Sequence, residues 1–158
     1  MRPIRESLTA GSLLVVTGVL AWATGQPFVF PSLGPSAYLL ATTRPGTIRG
    51  RELVGGHLVG ILAGLAAYHA FATGNSIMTT GSGFTTAQLR LVASAVTAVT
   101  LTTGGMRLTG TGHAPACATT LIVSLGLLTT PTEATIIAVS VVALYLAFVA
   151  LDGADLAR

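Results

Sequence analysis

Apolar residues run along this chain in long blocks, and the polar ones gather between them. Reading from one polar break to the next gives six segments: about Leu8–Thr24, Pro27–Ala41, Glu52–Ala72, Leu89–Met106, His113–Leu128 and Glu133–Leu151. Within 53–72 and 134–151 there is no recurring polar face of the kind a water-facing helix shows. A membrane-spanning helix takes about 20 residues, and about 17 at the least. The first, third, fourth and sixth segments reach or approach that length. The second, PFVFPSLGPSAYLLA, and the fifth, HAPACATTLIVSLGLL, fall short, and proline and glycine crowd the region where each begins.

Composition supports a bilayer setting. Hydrophobic residues make up 51% of the 158 and charged ones 8%, against about a quarter charged in soluble domains; mean hydropathy is +0.78. The sequence therefore predicts an all-α integral membrane protein, one transmembrane domain over residues 1–158. The opening MRPIRESLTAGSLLVVTGVLAWATG, with its basic tip and Ala21-Trp22-Ala23, imitates a cleavable leader. An uncleaved first helix is the better reading, since its loss would break the repeat described next.

The net charge of +3 comes from arginine, the chain having no lysine. The arginines sit in loops and termini, which suits topology control rather than nucleic-acid binding. With six crossings and the N-terminus inside, Arg2, Arg5, Arg44, Arg49, Arg51, Arg107 and Arg158 all fall on the cytoplasmic side, the uncharged loop 73–86 falls outside, and Arg90 dissents. The alternative is four spanning helices plus two re-entrant pieces, and it turns Arg44, Arg49 and Arg51 outward against that bias. The expectation is thus two inverted three-segment halves, about 8–72 and 87–151, in the plasma membrane with both termini cytoplasmic.

Short or Gly/Pro-interrupted segments at corresponding places in inverted halves point to a substrate site. Ser32, Gly34, Pro35 and Ser36 in one half answer His113, Pro115, Cys117 and Thr119 in the other. Proline suits a first helical turn, where its missing N–H costs nothing, and a helix N-terminus carries open N–H groups and about half a positive charge. Two such starts aimed at one spot would hold an anion without a buried lysine or arginine, with backbone N–H groups doing most of the binding. The plainer alternative is that these prolines and glycines only allow tight packing.

Several other residues bear on the site. His57 lies inside the third segment, and ionisable residues there face a cavity or a partner; with Arg51 and Arg107 it is a candidate for a pathway or proton relay. Gly56, Gly60 and Gly64 form a small-residue stripe, read as internal packing more than a dimer seam. Ser94, Thr97, Thr100, Thr102 and Thr103 give the fourth segment hydroxyls that line a path or bond their own backbone. Glu52 and Glu133 open helices. His69, Trp22, Phe28 and Phe30 read as interface residues. The single Cys117 excludes an internal disulfide and reads as packing. No metal cluster, phosphate loop or nucleophile constellation is present, so no metal, no cofactor and no enzymatic activity are expected.

FPSLGPSAYLL, then GRELVGGHLVGILAG at 50–64, then HAPACATTLI together resemble the HPP family of small integral membrane proteins, the likeness running over about residues 30–128. The family's name motif is His-Pro-Pro followed by Ala-Gly-Ala-Thr; here it reads His113-Ala114-Pro115, with Cys117 in place of the usual glycine. Before Gly-Gly-His the family tends to show Pro-Arg-Asn, and this chain has Gly50-Arg51-Glu52. The resemblance implies a membrane transporter, and plant and cyanobacterial members have been linked to nitrite movement. The expected function is a transporter or channel for a small inorganic anion, nitrite or a similar oxyanion, in a homo-oligomer embedded in the lipid bilayer. The alternative is a non-transporting scaffold that binds lipid or a partner.

Overall fold

The computed structural model describes residues 2–44, 46–81 and 83–156, and among them it has six α-helices and no strand. The helices are α1 (Arg2–Thr24), α2 (Leu33–Thr42), α3 (Gly50–Phe71), α4 (Thr86–Thr109), α5 (Ala116–Ser124) and α6 (Pro131–Leu156). Four are long and apolar enough to cross a membrane, over Pro3–Thr24, Gly50–Phe71, Thr86–Thr109 and Pro131–Leu151.

The two short helices start later than the hydrophobic pattern suggested. At 1.5 Å per residue α2 rises about 15 Å and α5 about 14 Å, roughly half of a hydrocarbon core about 30 Å thick. Non-helical chain leads into each, over 25–32 and 110–115. Pro27, Pro31 and Pro115 lack the N–H a helix needs and push the residue before them towards extended backbone. Pro35 is the third residue of α2 and Pro115 stands at the N-cap position of α5, where neither interrupts a helical bond.

Contacts along α3 set the sense of its neighbours. Gly105 of α4 faces Val59, while Leu91 packs with Tyr68 and Ala72, so α4 runs back along α3. Along α5 the order is the same as along α3: Gly56 meets His113, Gly60 meets Ala116 and Thr120, and Gly64 meets Val123. The Arg51 guanidinium donates to the Thr109 carbonyl at one end of α3. Beyond its other end, the Ile77 N–H donates to the Leu125 carbonyl at 3.0 Å. The segment containing α5 therefore lies alongside the whole of α3. Gly126 closes it with φ +79°, and a Cβ there would run into the Asn75 carbonyl. The start of α2 lies beside α5 and its end leads through 43–49 into the start of α3, so α2 runs opposite to both. Tyr145 of α6 covers Gly50.

The glycine stripe is internal packing. A Cβ at Gly56 would come within 2.9 Å of the His113 Cβ and the Thr111 carbonyl, and one at Gly60 within 2.8 Å of the Ala116 carbonyl and the Thr120 Oγ1. These gaps let α5 and its lead-in sit directly on α3. Leu13, Phe30, Leu33, Leu40, Leu53, Ile61, Val123, Ile137, Val141 and Leu144 form the main apolar core. Phe30 belongs to that core and not to an interfacial belt, because the extended return after α1 carries its ring inward; Trp22 is exposed.

Candidate functional site

Five polar side chains meet inside this core: Ser32 and Ser36 at the start of α2, His57 in α3, His113 in the lead-in to α5, and Thr119 in α5. His57 is 1% exposed and His113 4%, and the three hydroxyl residues are fully enclosed. Buried polar groups without partners cost several kcal/mol in an apolar setting, on the order of 2–7. Among the described residues no buried side-chain nitrogen or oxygen lacks one.

The partners form a connected network. Ser32 Oγ lies 2.6 Å from Thr119 Oγ1, and Thr119 Oγ1 lies 2.7 Å from His57 Nδ1. His57 Nε2 is 3.1 Å from Ser36 Oγ, and His113 Nε2 reaches the same oxygen at 3.0 Å. Ser36 Oγ also donates to the Ser32 carbonyl at 3.1 Å. The two imidazole rings are tilted at 52° with centroids 5.3 Å apart.

Taking the Ser36 bond to the Ser32 carbonyl as made, one assignment of protons satisfies every bond. A serine hydroxyl has one proton and two lone pairs. With the Ser36 proton given to the Ser32 carbonyl, both histidines present Nε2–H to Ser36 Oγ. His57 Nδ1 is then an acceptor and takes the Thr119 proton, and Thr119 accepts from Ser32. Both rings are neutral in this wiring, the tautomers being assigned from the network itself. His113 makes its one side-chain hydrogen bond through Nε2; its Nδ1 keeps a lone pair and is not a fully enclosed atom, since every fully buried side-chain nitrogen among the described residues has a partner.

Local sequence explains how these groups come to face one another. Ser32 stands at the N-cap position of α2 with φ −76° and ψ −15°, and makes no side-chain capping bond. Its hydroxyl, which ordinarily holds a first-turn amide, is spent across the core on Thr119. The lead-in to α5 carries His113 two residues before Pro115, and the Gly56 gap admits its Cβ. One correction concerns the backbone. The opening amides of both short helices are largely engaged in tight turns: Leu33 on the Phe30 carbonyl, and Ala116, Cys117 and Ala118 on those of His113, Ala114 and Pro115. Proline-bearing turns close on themselves, so hydroxyls and imidazoles line the cluster in place of open amides.

The other candidates lie around this cluster or away from it. Pro115 is buried, Cys117 half-buried, Gly34 half-buried and Pro35 exposed. Gly34 also borders an apolar groove of about 350 Å³ with Leu14, Val29, Phe30 and Pro31. Arg51 and Arg107 are exposed, and Arg51 caps the end of α4 through Thr109. Glu52 accepts the Arg49 N–H at 3.3 Å, and Glu133 accepts the Thr129 and Thr130 N–H groups at 2.8 Å each; both carboxylates cap their helices. His69 is exposed beside the Tyr68 ring.

Hydroxyls of α4 hold α5 in place. Ser94 donates to the Ser124 carbonyl at 2.8 Å and Thr102 pairs with Thr120 at 2.8 Å, while Thr100 bonds its own helix. Thr120 is the residue that inspection of the sequence passed over. The adjacent pair Thr119-Thr120 is its signal, since neighbours on a helix point to different sides: Thr119 to the histidines, Thr120 to α4.

A family model described as HPP, transmembrane region, matches residues 4–157. No curated protein and no solved structure matches the chain.

Proposed function

We propose that this chain, which belongs to the HPP family of membrane proteins, is a transporter or channel for a small inorganic anion, with nitrite or a similar oxyanion as its substrate. The observation that carries the proposal is the meeting of the α2 and α5 starts: Ser32 with Thr119 and Ser36 with His113, at 2.6 and 3.0 Å. The starts of two short helices come to one buried place, and the cluster there is made of hydroxyls and imidazoles. Hydroxyl and imidazole protons given within the network turn to an entering oxyanion in exchange for those internal bonds, and with no lysine or arginine in the cluster binding stays weak enough for release.

In this proposal the α2 and α5 segments cross fully, giving two inverted halves over about 8–72 and 87–151. The shared course of α5 and α3 favours that arrangement, and arginine placement favours cytoplasmic termini in the plasma membrane. So small a chain offers little room for a private path, which favours a homo-oligomer. The role is transport rather than catalysis.

Uptake into proteoliposomes is the test. Saturable nitrite entry above protein-free vesicles, with nitrate, formate and chloride as competitors, is the expected result. Silence from folded, inserted protein would overturn the proposal in favour of a scaffold that binds lipid or a partner.

A further inference from the structure

Resting on the anion site proposed above, we propose that the substrate binds together with one proton, which His113 takes at Nδ1, so that the site loads as an electroneutral pair. Three observations carry this. First, the assigned wiring leaves one ring nitrogen of the cluster open. With Ser36 Oγ receiving Nε2–H from both rings and Thr119 serving His57 Nδ1, His113 Nδ1 is the nitrogen of these two rings left without a hydrogen bond. Second, that nitrogen belongs to a side chain that is 4% exposed and joined to the starts of both short helices.

Third, none of the five side chains of the cluster carries a fixed charge. The carboxylate of α3, Glu52, stands at the helix start outside the cluster, where its Oε2 accepts the Arg49 N–H. Arg51 turns to the Thr109 carbonyl and Arg107 of α4 is exposed. From α5 the titratable neighbour is the half-buried Cys117 thiol, from α2 the exposed Tyr38, and from α6 Tyr145, which covers Gly50. A proton alone would leave a cation, and an anion alone a negative charge, with no opposite charge inside the cluster, each at a desolvation cost. Together they cancel. By linkage each ligand then raises the affinity for the other by the same factor.

The step balances simply. A proton from water bonds to His113 Nδ1 as the anion enters, giving an imidazolium beside it, and leaves by the same bond when the anion is released. His57 is a positioning residue. Through Ser36 and Thr119 it keeps the His113 Nε2–H in place, so that Nδ1 stays the basic atom.

Titration of the purified full chain in detergent with nitrite, nitrate and formate tests this, with proton uptake read from binding heats in buffers of different ionisation enthalpy. The expected result near neutral pH is one proton taken up per anion. Affinity then falls about tenfold per unit above the titration midpoint. His113→Gln, whose side-chain amide still donates to Ser36, is expected to bind more weakly and with no proton. His57→Gln reproduces both the donor to Ser36 and the acceptor for Thr119, and is expected to keep the proton. Anion binding by the wild type without proton uptake overturns the proton-loading proposal and leaves the anion site standing. A proton retained in His113→Gln overturns its assignment to His113. No binding of any of the three anions overturns the anion site and this proposal together.

Discussion

The hydroxyls of Ser32 and Thr119 lie 2.6 Å apart although 87 residues separate them in the chain. Each belongs to the first turns of a short helix, and the two helices run in opposite senses. That bond ties the start of α2 to α5, and it also fixes the His57 ring through Thr119 Oγ1.

Removing the bond should therefore be felt twice. Thr119→Val keeps the volume and deletes the hydroxyl, stranding His57 Nδ1 and Ser32 Oγ in a dry core. An unsatisfied buried group costs about 1–3 kcal/mol. Thermal unfolding in detergent micelles should show that loss. Ser32→Ala combined with Thr119→Val should cost less than the sum of the two single changes, because the pair shares one bond.

Substitutions along the glycine stripe separate packing from propensity. Gly60→Ala puts a methyl 2.8 Å from the Ala116 carbonyl and the Thr120 Oγ1, and overpacking of this kind costs about 1–3 kcal/mol. Gly104→Ala, in α4 with nothing within 4 Å, should gain about 0.5–1 kcal/mol from helix propensity. Melting points of the two variants moving in opposite directions would bear this out; equal shifts would contradict it.

Thr102→Val offers a contrast within the hydroxyl set. Its partner Thr120 keeps a bond of 3.1 Å to the Ala116 carbonyl, so nothing is stranded. The loss should be about 0.5–1.5 kcal/mol, the net worth of one hydrogen bond, with anion uptake retained. A Thr102→Val protein that is stable yet inactive would place α4 in the pathway.

Crossing by the short segments can be read by labelling. In a Cys117→Ala background, cysteines at Gln26 and Arg44 bracket α2 and those at Leu108 and Thr130 bracket α5; all four positions are exposed. Impermeant thiol reagents should modify the two members of each pair from opposite faces. Modification of both members from one face would mean a re-entrant segment.

Much of this arrangement was legible in the chain. The four long helices follow from block hydrophobicity, which needs only local sequence. The short segments announced themselves through Pro27, Pro31, Pro35 and Pro115, and the prolines also explain why their helices begin so late. Ser32, Ser36, His113 and Thr119 could be named because they sit beside those breaks. The central place of His57 was less visible: helix phase gives the face a residue occupies, but not the neighbour that covers it, and here the gaps at Gly56 and Gly60 bring α5 in. The engaged amides of α5 and the inward turn of Phe30 escaped for a related reason, since tight-turn bonding and the path of an extended stretch depend on what the chain folds against.

The central claim is that the hydroxyl joining the two histidines serves transport. Nitrite uptake into proteoliposomes by Ser36→Ala, beside wild type at matched protein density, tests it most directly. Ser36 is the one oxygen both rings touch, so uptake is expected to fall by about tenfold or more, as loss of a charge-orienting hydrogen bond of about 1.4 kcal/mol or above would give, while the protein remains folded and inserted. Uptake unchanged from wild type would contradict the account and move the anion path elsewhere.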